Sequence, residues 1–490
     1  MANPEIREVK DIIKDKHVDY KENIKDWELY GDAVSGAGGF KKGGYIDKFK
    51  SEDQEKYERR QKQVYYLNHT AAVIDTYVGH LYKKPVSREH ESDALEKFYA
   101  STNIEGDRTI EEYMQMISAA SMTYGVCYAV VDRTRMDGEQ VRSKADLERL
   151  GAKTYSYILT PKDIINWALG PDGLFNWVII QETNTTNPDH WMKAHKKEVR
   201  YRVWTREYWA LYREGENNPY LSAEHELGVV PIVPVFNVIK EGHTVIGRSE
   251  IAEIAKINKN LYNKCSELDE LMVNNAFAIL AMSKKNVDQT NFKLGAGRVL
   301  FFDEIMPQYI SPSPMAIAAY ETRIQNLVNE IYRIAKIEYT GGVAPSGIAL
   351  AFKFEKTNQS LARKASNLED AEMKLAKMVS RWESIEEANA LELKVEYPRD
   401  YGIIDFQGEA MKDEKVLDIG ISPTFNKIYK KGLVEKYKPS ATTEEKKKIY
   451  DEIDAEEAPT DFTGEEEVDE EINGEESTNE GGSEGESSET

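Results

Sequence analysis

The sequence predicts an α+β protein, and three observations carry that expectation. The middle third is a series of short runs rich in Val, Ile, Trp and Tyr, separated by turn residues, which is how antiparallel strands read. On either side, apolar residues recur at three- and four-residue steps, the period of a helix with one buried face. The chain then ends in a tail of a different kind. From Asp451 to Thr490 there are eighteen acids and no Lys or Arg, which leaves 68 acids against 64 bases over residues 1–450. Most of the net charge of −22 over 490 residues therefore sits in the tail. Residues 456–490, self-repelling and poor in apolar side chains, are expected to be disordered.

Taken in order, residues 5–30 carry mixed charge around Ile12, Ile13, Ile24, Trp27 and Leu29 and suggest helix. A glycine-rich break follows at 36–44. Glu52 to Tyr82 is helical again in two pieces divided near Asn68, with Tyr57, Val64, Ile74 and Val78 facing inward and Pro85 ending the segment. Strands are expected at Tyr124–Asp132, around Tyr155, Tyr157 and Leu159, at Trp177–Glu182 and within Val199–Arg213, with Pro171-Asp172-Gly173 as a turn. Val229–Asn237 contains Pro231 and Pro234, so it can be no more than an edge strand.

After residue 246 the pattern becomes helical. Ser249 suits an N-cap, and Ile254, Ile257, Leu261, Cys265, Leu268 and Met272 make one stripe on a helix of about eight turns. Two short β-like runs come next, Phe277–Met282 and Arg298–Phe302. Ser313-Pro314 opens a second helix with the stripe Ile317, Tyr320, Ile324, Leu327, Ile331 and Ile334. The segment Tyr339, Thr340, Gly341, Gly342, Val343, Ala344, Pro345, Ser346, Gly347 reads as loop. A third helix from Gln359 to Leu391 would reach about 50 Å. A short mixed segment and further helix complete the body to about residue 455.

Composition narrows the function. No run approaches the roughly eighteen apolar residues of a membrane span, and the N-terminus turns charged at once, so a soluble protein made in a cytoplasm is expected. Cys127 and Cys265 cannot build a disulfide framework and read as small core residues. A near-neutral body does not suit a tight nucleic-acid binder. Tempting motifs fail. The run at 36–44 has Lys41 and Lys42 but lacks the Gly-Lys-Ser/Thr ending of a phosphate loop. His190 and His195 are five apart, which fits neither a helical zinc pair nor a strand pair. No nucleophile elbow or zincin motif occurs. The chain is therefore expected to be no enzyme, with no catalytic, metal or cofactor residues.

Four stretches carry a resemblance: YYLNHTAAVIDTYVGHLYKKPV at 65–86, YILTPKDIINW at 157–167, GVVPIVPVFN at 228–237 followed by Gly247-Arg248-Ser249-Glu250-Ile251, and IYRIAKIEYTGGVAPSGIALAFKF at 331–354. In this order the chain resembles portal proteins of tailed bacteriophages. Their succession over residues 1–450 is what is similar.

The resemblance implies a ring of about twelve copies at one capsid vertex, through which duplex DNA passes without sequence specificity. It implies a wing at 1–246, a first stem helix at 247–275, a clip at 276–312, a second stem helix at 313–338, a tunnel loop at 339–347, a long wing helix at 348–395 and a helical crown at 396–455. The implied partners are the major capsid protein, the terminase large subunit and head-completion or adaptor proteins, with no membrane. Another virion structural or adaptor protein, or a non-catalytic interaction scaffold, remains the alternative; a packaging nuclease or NTPase is disfavoured by the missing phosphate loop.

A closed ring needs two different complementary faces on each subunit. Ile251, Tyr262, Leu271, Val328 and Ile337 widen the apolar surface of the two stem helices, as packing on a neighbour would require. Sliding DNA disfavours a strong basic stripe, since every phosphate contact is multiplied around the ring. Arg333 and Lys336 are the channel-facing candidates, with an intersubunit salt bridge as the competing role. Lys284, Lys285, Lys293 and Arg298 are candidates for contact with the motor or with DNA at the clip.

Overall fold

The computed structural model describes residues 8–134, 153–186, 191–240, 245–276, 279–281, 308–310, 314–337, 347–383, 393–399, 401, 406–419, 421–438 and 443–455. It is mixed helix and antiparallel sheet, as expected, and the chain divides into two compact units, Met1–Ile403 and Ile404–Thr490.

The first unit opens with α1 (Val9–Ile12) and α2 (Val18–Ser35). The α2 helix buries Tyr20, Trp27, Tyr30 and Ala33 along one face and ends at Gly36, whose φ of 64° permits a left-handed C-cap. The glycine-rich break is more ordered than a flexible turn: Gly38–Lys41 forms the single helical turn α3, with Phe40 buried against Tyr66 and Tyr262. Helices α4 (Gln54–Gln63) and α5 (His69–Leu81) follow. Asn68 divides them by accepting from the Ala71 backbone N–H at 2.9 Å, a side-chain cap for α5.

Strand β1 (Ser87–Glu89) precedes two helices beyond those expected from the apolar pattern, α6 (Asp93–Ala100) and α7 (Ile110–Tyr124). The signal for α7 is the capping box between Thr109 and Glu112. Gly125 then closes α7 at φ 90°, in a left-handed conformation.

The strands make two main sheets. Strands β2 (Val126–Arg133), β3 (Thr154–Leu159) and β9 (Ile232–Phe236) pair in the order β3-β2-β9, which puts the proline-bearing β9 at an edge. Strands β4 (Ile164–Leu169), β5 (Phe175–Thr185), β6 (Lys197–Thr205), β7 (Tyr208–Arg213) and β8 (Leu221–Glu224) form an antiparallel meander. β2 is buried on both faces, which is why its sequence is an unbroken apolar run rather than an alternating one. Cys127 lies in it, and both cysteines are free and buried.

Helix α8 (Ala252–Ala276), strand β10 (Ile279–Ala281), strand β11 (Gln308–Ile310) and helix α9 (Pro314–Ile334) follow. The first expected β-run is thus present in β10. Its described partner is Gln308–Ile310, whereas Arg298–Phe302 lies outside the described residues. The long helix α10 (Gly347–Trp382) corrects the sequence reading at its start. Gly347, expected in a loop, is its first residue, because Ile348-Ala349-Leu350-Ala351 contains nothing that breaks a helix. Thirty-six residues make it about 54 Å long. Strand β12 (Lys394–Glu396) returns to pair with β1, and Tyr397 and Tyr401 are buried in the first unit.

The second unit contains α11 (Phe406–Asp418), α12 (Pro423–Tyr437) and α13 (Thr443–Ala455). Ser422 caps α12 by accepting from the Phe425 N–H at 3.0 Å, with proline at the first helical position. Asp413 on α11 accepts from the hydroxyls of Tyr429 and Tyr437, both at 2.7 Å, and from the Lys436 ammonium at 2.9 Å.

Candidate subunit-contact site: a paired-helix rod and its basal joint

Helices α8 and α9 lie antiparallel, joined at their far end by the β10–β11 ribbon. The register is fixed by polar contacts along the seam. Tyr320 near the start of α9 donates to Glu267 near the end of α8 at 2.9 Å, and Lys264 lies 5.6 Å over the Tyr320 ring. At the opposite end Glu253 of α8 acts electrostatically on Arg333 of α9.

Burial is graded along the pair. Ile254, Ala255, Leu261, Ile331 and Ala335 are buried, while Met272, Val273 and Met315 at the ribbon end are 51%, 44% and 81% exposed. This corrects part of the sequence reading. Ile251, Tyr262 and Val328 are not spare surface for a neighbour, because α2, α3, α5 and the helix pair itself already cover them. Tyr262 donates to the Phe40 carbonyl at 2.8 Å, so the α3 turn occupies the place a second copy was expected to fill. Leu271 and Ile337 are half-buried.

The rod is also held along its length by polar groups. Asn263 donates to the Tyr45 carbonyl at 3.0 Å and accepts from the Asp47 N–H at 2.8 Å. Asn258 donates to the Tyr66 hydroxyl and to the Leu67 carbonyl. Arg60 and Glu52 form an ion pair at 2.8 Å with both side chains 2% exposed, and Arg60 also donates to Ser266 at 3.2 Å. Tyr332 meets His69 Nδ1 at 3.2 Å, and burial pushes that imidazole below its usual range.

Where α8 begins, five elements converge. Lys364 of α10, buried with 2% of its side chain exposed, donates to Glu250 at 2.6 Å and to Asn237 Oδ1 at 2.5 Å. Asn237, just past β9, donates to the Arg248 carbonyl and to Glu250. Ser249 accepts from the Ile251 N–H and donates to the Thr123 carbonyl at the end of α7, but α8 begins at Ala252, so its N-cap position is Ile251 rather than the expected Ser249. Burial acts to raise the Glu250 carboxyl, but the Lys364 ammonium and hydrogen bonds from Lys364 and Asn237 outweigh it and hold it below the usual carboxylate range. Beside this cluster Gly125 and Gly247 touch backbone to backbone: a Cβ on either would overlap the other's carbonyl.

The end of α9 is pinned at the same place. The Ile337 N–H reaches the Tyr332 carbonyl at 3.1 Å and the Lys336 N–H reaches the Arg333 carbonyl at 3.2 Å, a Schellman ending with Lys336 at φ 55° where glycine is usual. Tyr77 of α5 donates to the Ala335 carbonyl at 2.6 Å, and Thr357 of α10 donates to the Lys336 carbonyl at 2.6 Å.

No family model and no curated protein matches the sequence. Solved structures with a similar chain course include a chain in the neck of an empty gene transfer agent particle computed with C6 symmetry, at 10% identity over 72% of this chain and 86% of that one, TM-score 0.40. A chain in the virion of the native gene transfer agent particle has 10% identity over 72% of this chain and 85% of that one, TM-score 0.39. A third, in the neck of the native particle computed with C12 symmetry, has 11% identity over 78% and 89%, TM-score 0.36.

The site residues expected from the sequence fall in different places. Arg333 and Lys336 are both exposed at the base of α9, and Arg333 is already engaged by Glu330 of its own helix at 2.6 Å. Tyr339, Thr340, Gly341, Gly342, Val343, Ala344, Pro345 and Ser346 lie outside the described residues, as do Lys284, Lys285, Lys293, Arg298, His190 and residues 456–490. His195 is exposed. The Lys364–Glu250–Asn237 joint was missed. Its signal was a lysine beside Leu361, Ala365, Leu368 and Leu375, since a charge on a buried face requires a partner; Glu372 on the same stripe is buried as well and pairs with Arg88. Among the described residues no His, Cys, Asp and Glu group could hold a metal ion, and no helix is long and apolar enough to cross a membrane.

Proposed function

We propose that the chain is a non-enzymatic portal subunit, one of a ring of about twelve copies at a capsid vertex through which duplex DNA is packaged and ejected. The observation that carries this reading is the antiparallel pair α8–α9, anchored at its base by buried polar contacts, tipped by a β-ribbon and exposing Met272, Val273 and Met315 towards that tip. Apolar side chains left exposed at one end of an otherwise well-packed element suit contact with further protein. Identical rods set side by side would present one flank of α8–α9 to the next, the two-faced contact a closed ring requires. In this reading the ribbon end is the clip that meets the terminase and later the head-completion proteins, residues 339–346 project into the channel, and the second unit is the crown. The exposed cations Arg323 and Arg333 on α9, and Lys336 just past its end, are diluted by Glu321 and Glu330, a charge mixture that would let DNA slide.

The test is negative-stain electron microscopy of the purified full chain together with its mass in solution. Annular particles with a central hole are expected. A single species near 55.9 kDa at every concentration would refute the proposal. Within rings, bulky residues at Gly341 and Gly342 are expected to leave assembly intact and impair DNA filling; normal filling would remove the channel role of that segment.

A further inference from the structure

A groove opens in the first unit between the Pro171–Leu174 turn, the stretch 229–234 and one face of α10. Its floor is apolar and closed, with Phe175, Val230, Ile232 and Val233 all buried, while Leu174 stands at the lip 52% exposed. The cavity is about 200 Å³, below the roughly 300–1,000 Å³ of small-molecule sites, and is sized for one large apolar side chain rather than a cofactor.

The other wall is basic. Lys374, Lys377 and Arg381 follow at helical spacing on the face of α10 that lines the groove, and both lysines are exposed. Among the described residues none of the three has an ion-pair partner. The nearest acid on the turn, Asp172, is engaged by Arg206 at 2.7 Å. With Asp370 one turn earlier counted, three bases against one acid leave this face at +2.

We propose that this groove docks an acidic segment of a partner protein, which inserts one large apolar side chain between the Pro171–Leu174 turn and α10 and sets carboxylates against Lys374, Lys377 and Arg381. Lys374 and Arg381 are about 10 Å apart along the helix axis, a distance that three residues of extended chain span at about 3.3 Å each. Acids three residues apart with an apolar residue between them therefore match cations and floor together. Nucleic acid fits less well, because the floor offers no exposed aromatic face on which a base could stack. This site lies away from α8–α9 and does not depend on the ring reading.

The experiment is fluorescence anisotropy with the full chain and a labelled peptide of core Glu-Glu-Leu-Asp-Glu-Glu. Saturable binding is expected, weakened about tenfold or more by K374E/K377E, by Leu174→Asp, and by a peptide with Gln and Asn in place of its acids. Circular dichroism checks that the variants fold, and electron microscopy checks their assembly. Absence of saturable binding, or equal binding by K374E/K377E, would overturn the proposal. So would loss of self-association in K374E/K377E, which would mean that another copy of this chain covers the groove.

Discussion

Replacing Lys364 with methionine removes one partner of a buried charge pair and leaves its volume nearly unchanged. Glu250 would then keep its hydrogen bond from Asn237 at 3.1 Å but lose the ammonium at 2.6 Å. Breaking such a pair from one side costs about 3–5 kcal/mol. The 17% exposure of the Glu250 side chain lets water relieve part of that, so the expected loss is about 3 kcal/mol. All seven tryptophans precede residue 404, so tryptophan fluorescence in urea reports the first unit by itself. With a denaturant slope of about 3 kcal/mol/M, the midpoint should fall by about 1 M. The double variant Lys364→Met with Glu250→Gln removes both charges and keeps the amide contact, and should recover most of the loss. A single variant that loses less than about 1 kcal/mol, or a double no better than the single, would refute the account of the joint as a charge pair.

Gly125→Ala should be far more damaging than an ordinary surface change, because its Cβ meets the Gly247 carbonyl and its φ is 90°; soluble expression with native-like fluorescence would contradict that packing. Lys336→Gly should stabilise the chain by roughly 0.5–1 kcal/mol by relieving the left-handed conformation at the end of α9, read as a rise in the same urea midpoint. Asp413 is held at about 2 by hydrogen bonds from Tyr437, Lys436 and Tyr429. Its folded value lies below its unfolded one, so its contribution is fully present above about pH 4 and is lost as pH falls towards 2. The wild-type second unit should lose helical signal in that window, and Asp413→Asn should show the weakening already at pH 7; an NMR titration of the carboxyl near 4 would count against it.

Much of this architecture was legible because local chemistry and tertiary packing agree. Asn68 reads as a break since only a side-chain cap explains a polar residue between two helical patterns, and Pro171-Asp172-Gly173 is a turn in any context. The stripes of α8 and α9 are legible for the same reason. What escaped depends on distance in the chain. Lys364 and Glu250 are 114 residues apart, and nothing near either one announces the other. The breadth of apolar surface on α8 and α9 was legible, but not its occupant: Tyr262 is covered by a three-glycine neighbourhood at Gly38, Gly39 and Gly43 whose compact turn reads as mere flexibility. The start of α10 was misplaced because Gly347 and the preceding proline argue for loop, while the residues after it are ordinary helix formers.

The length of α10 has a mechanical consequence. Its fixed points are Thr357 against the end of α9, Lys364 in the basal cluster, and Trp382, which donates to the Val131 carbonyl in the central sheet at 3.0 Å. Measured from Lys364, the two arms are about 10 Å and 27 Å at 1.5 Å per residue. Tilting as a stiff beam about that fulcrum, the helix would turn a displacement of about 1 Å where α9 ends into about 2.5 Å at the sheet. A displacement at the end of α9 would in that way be felt at the central sheet.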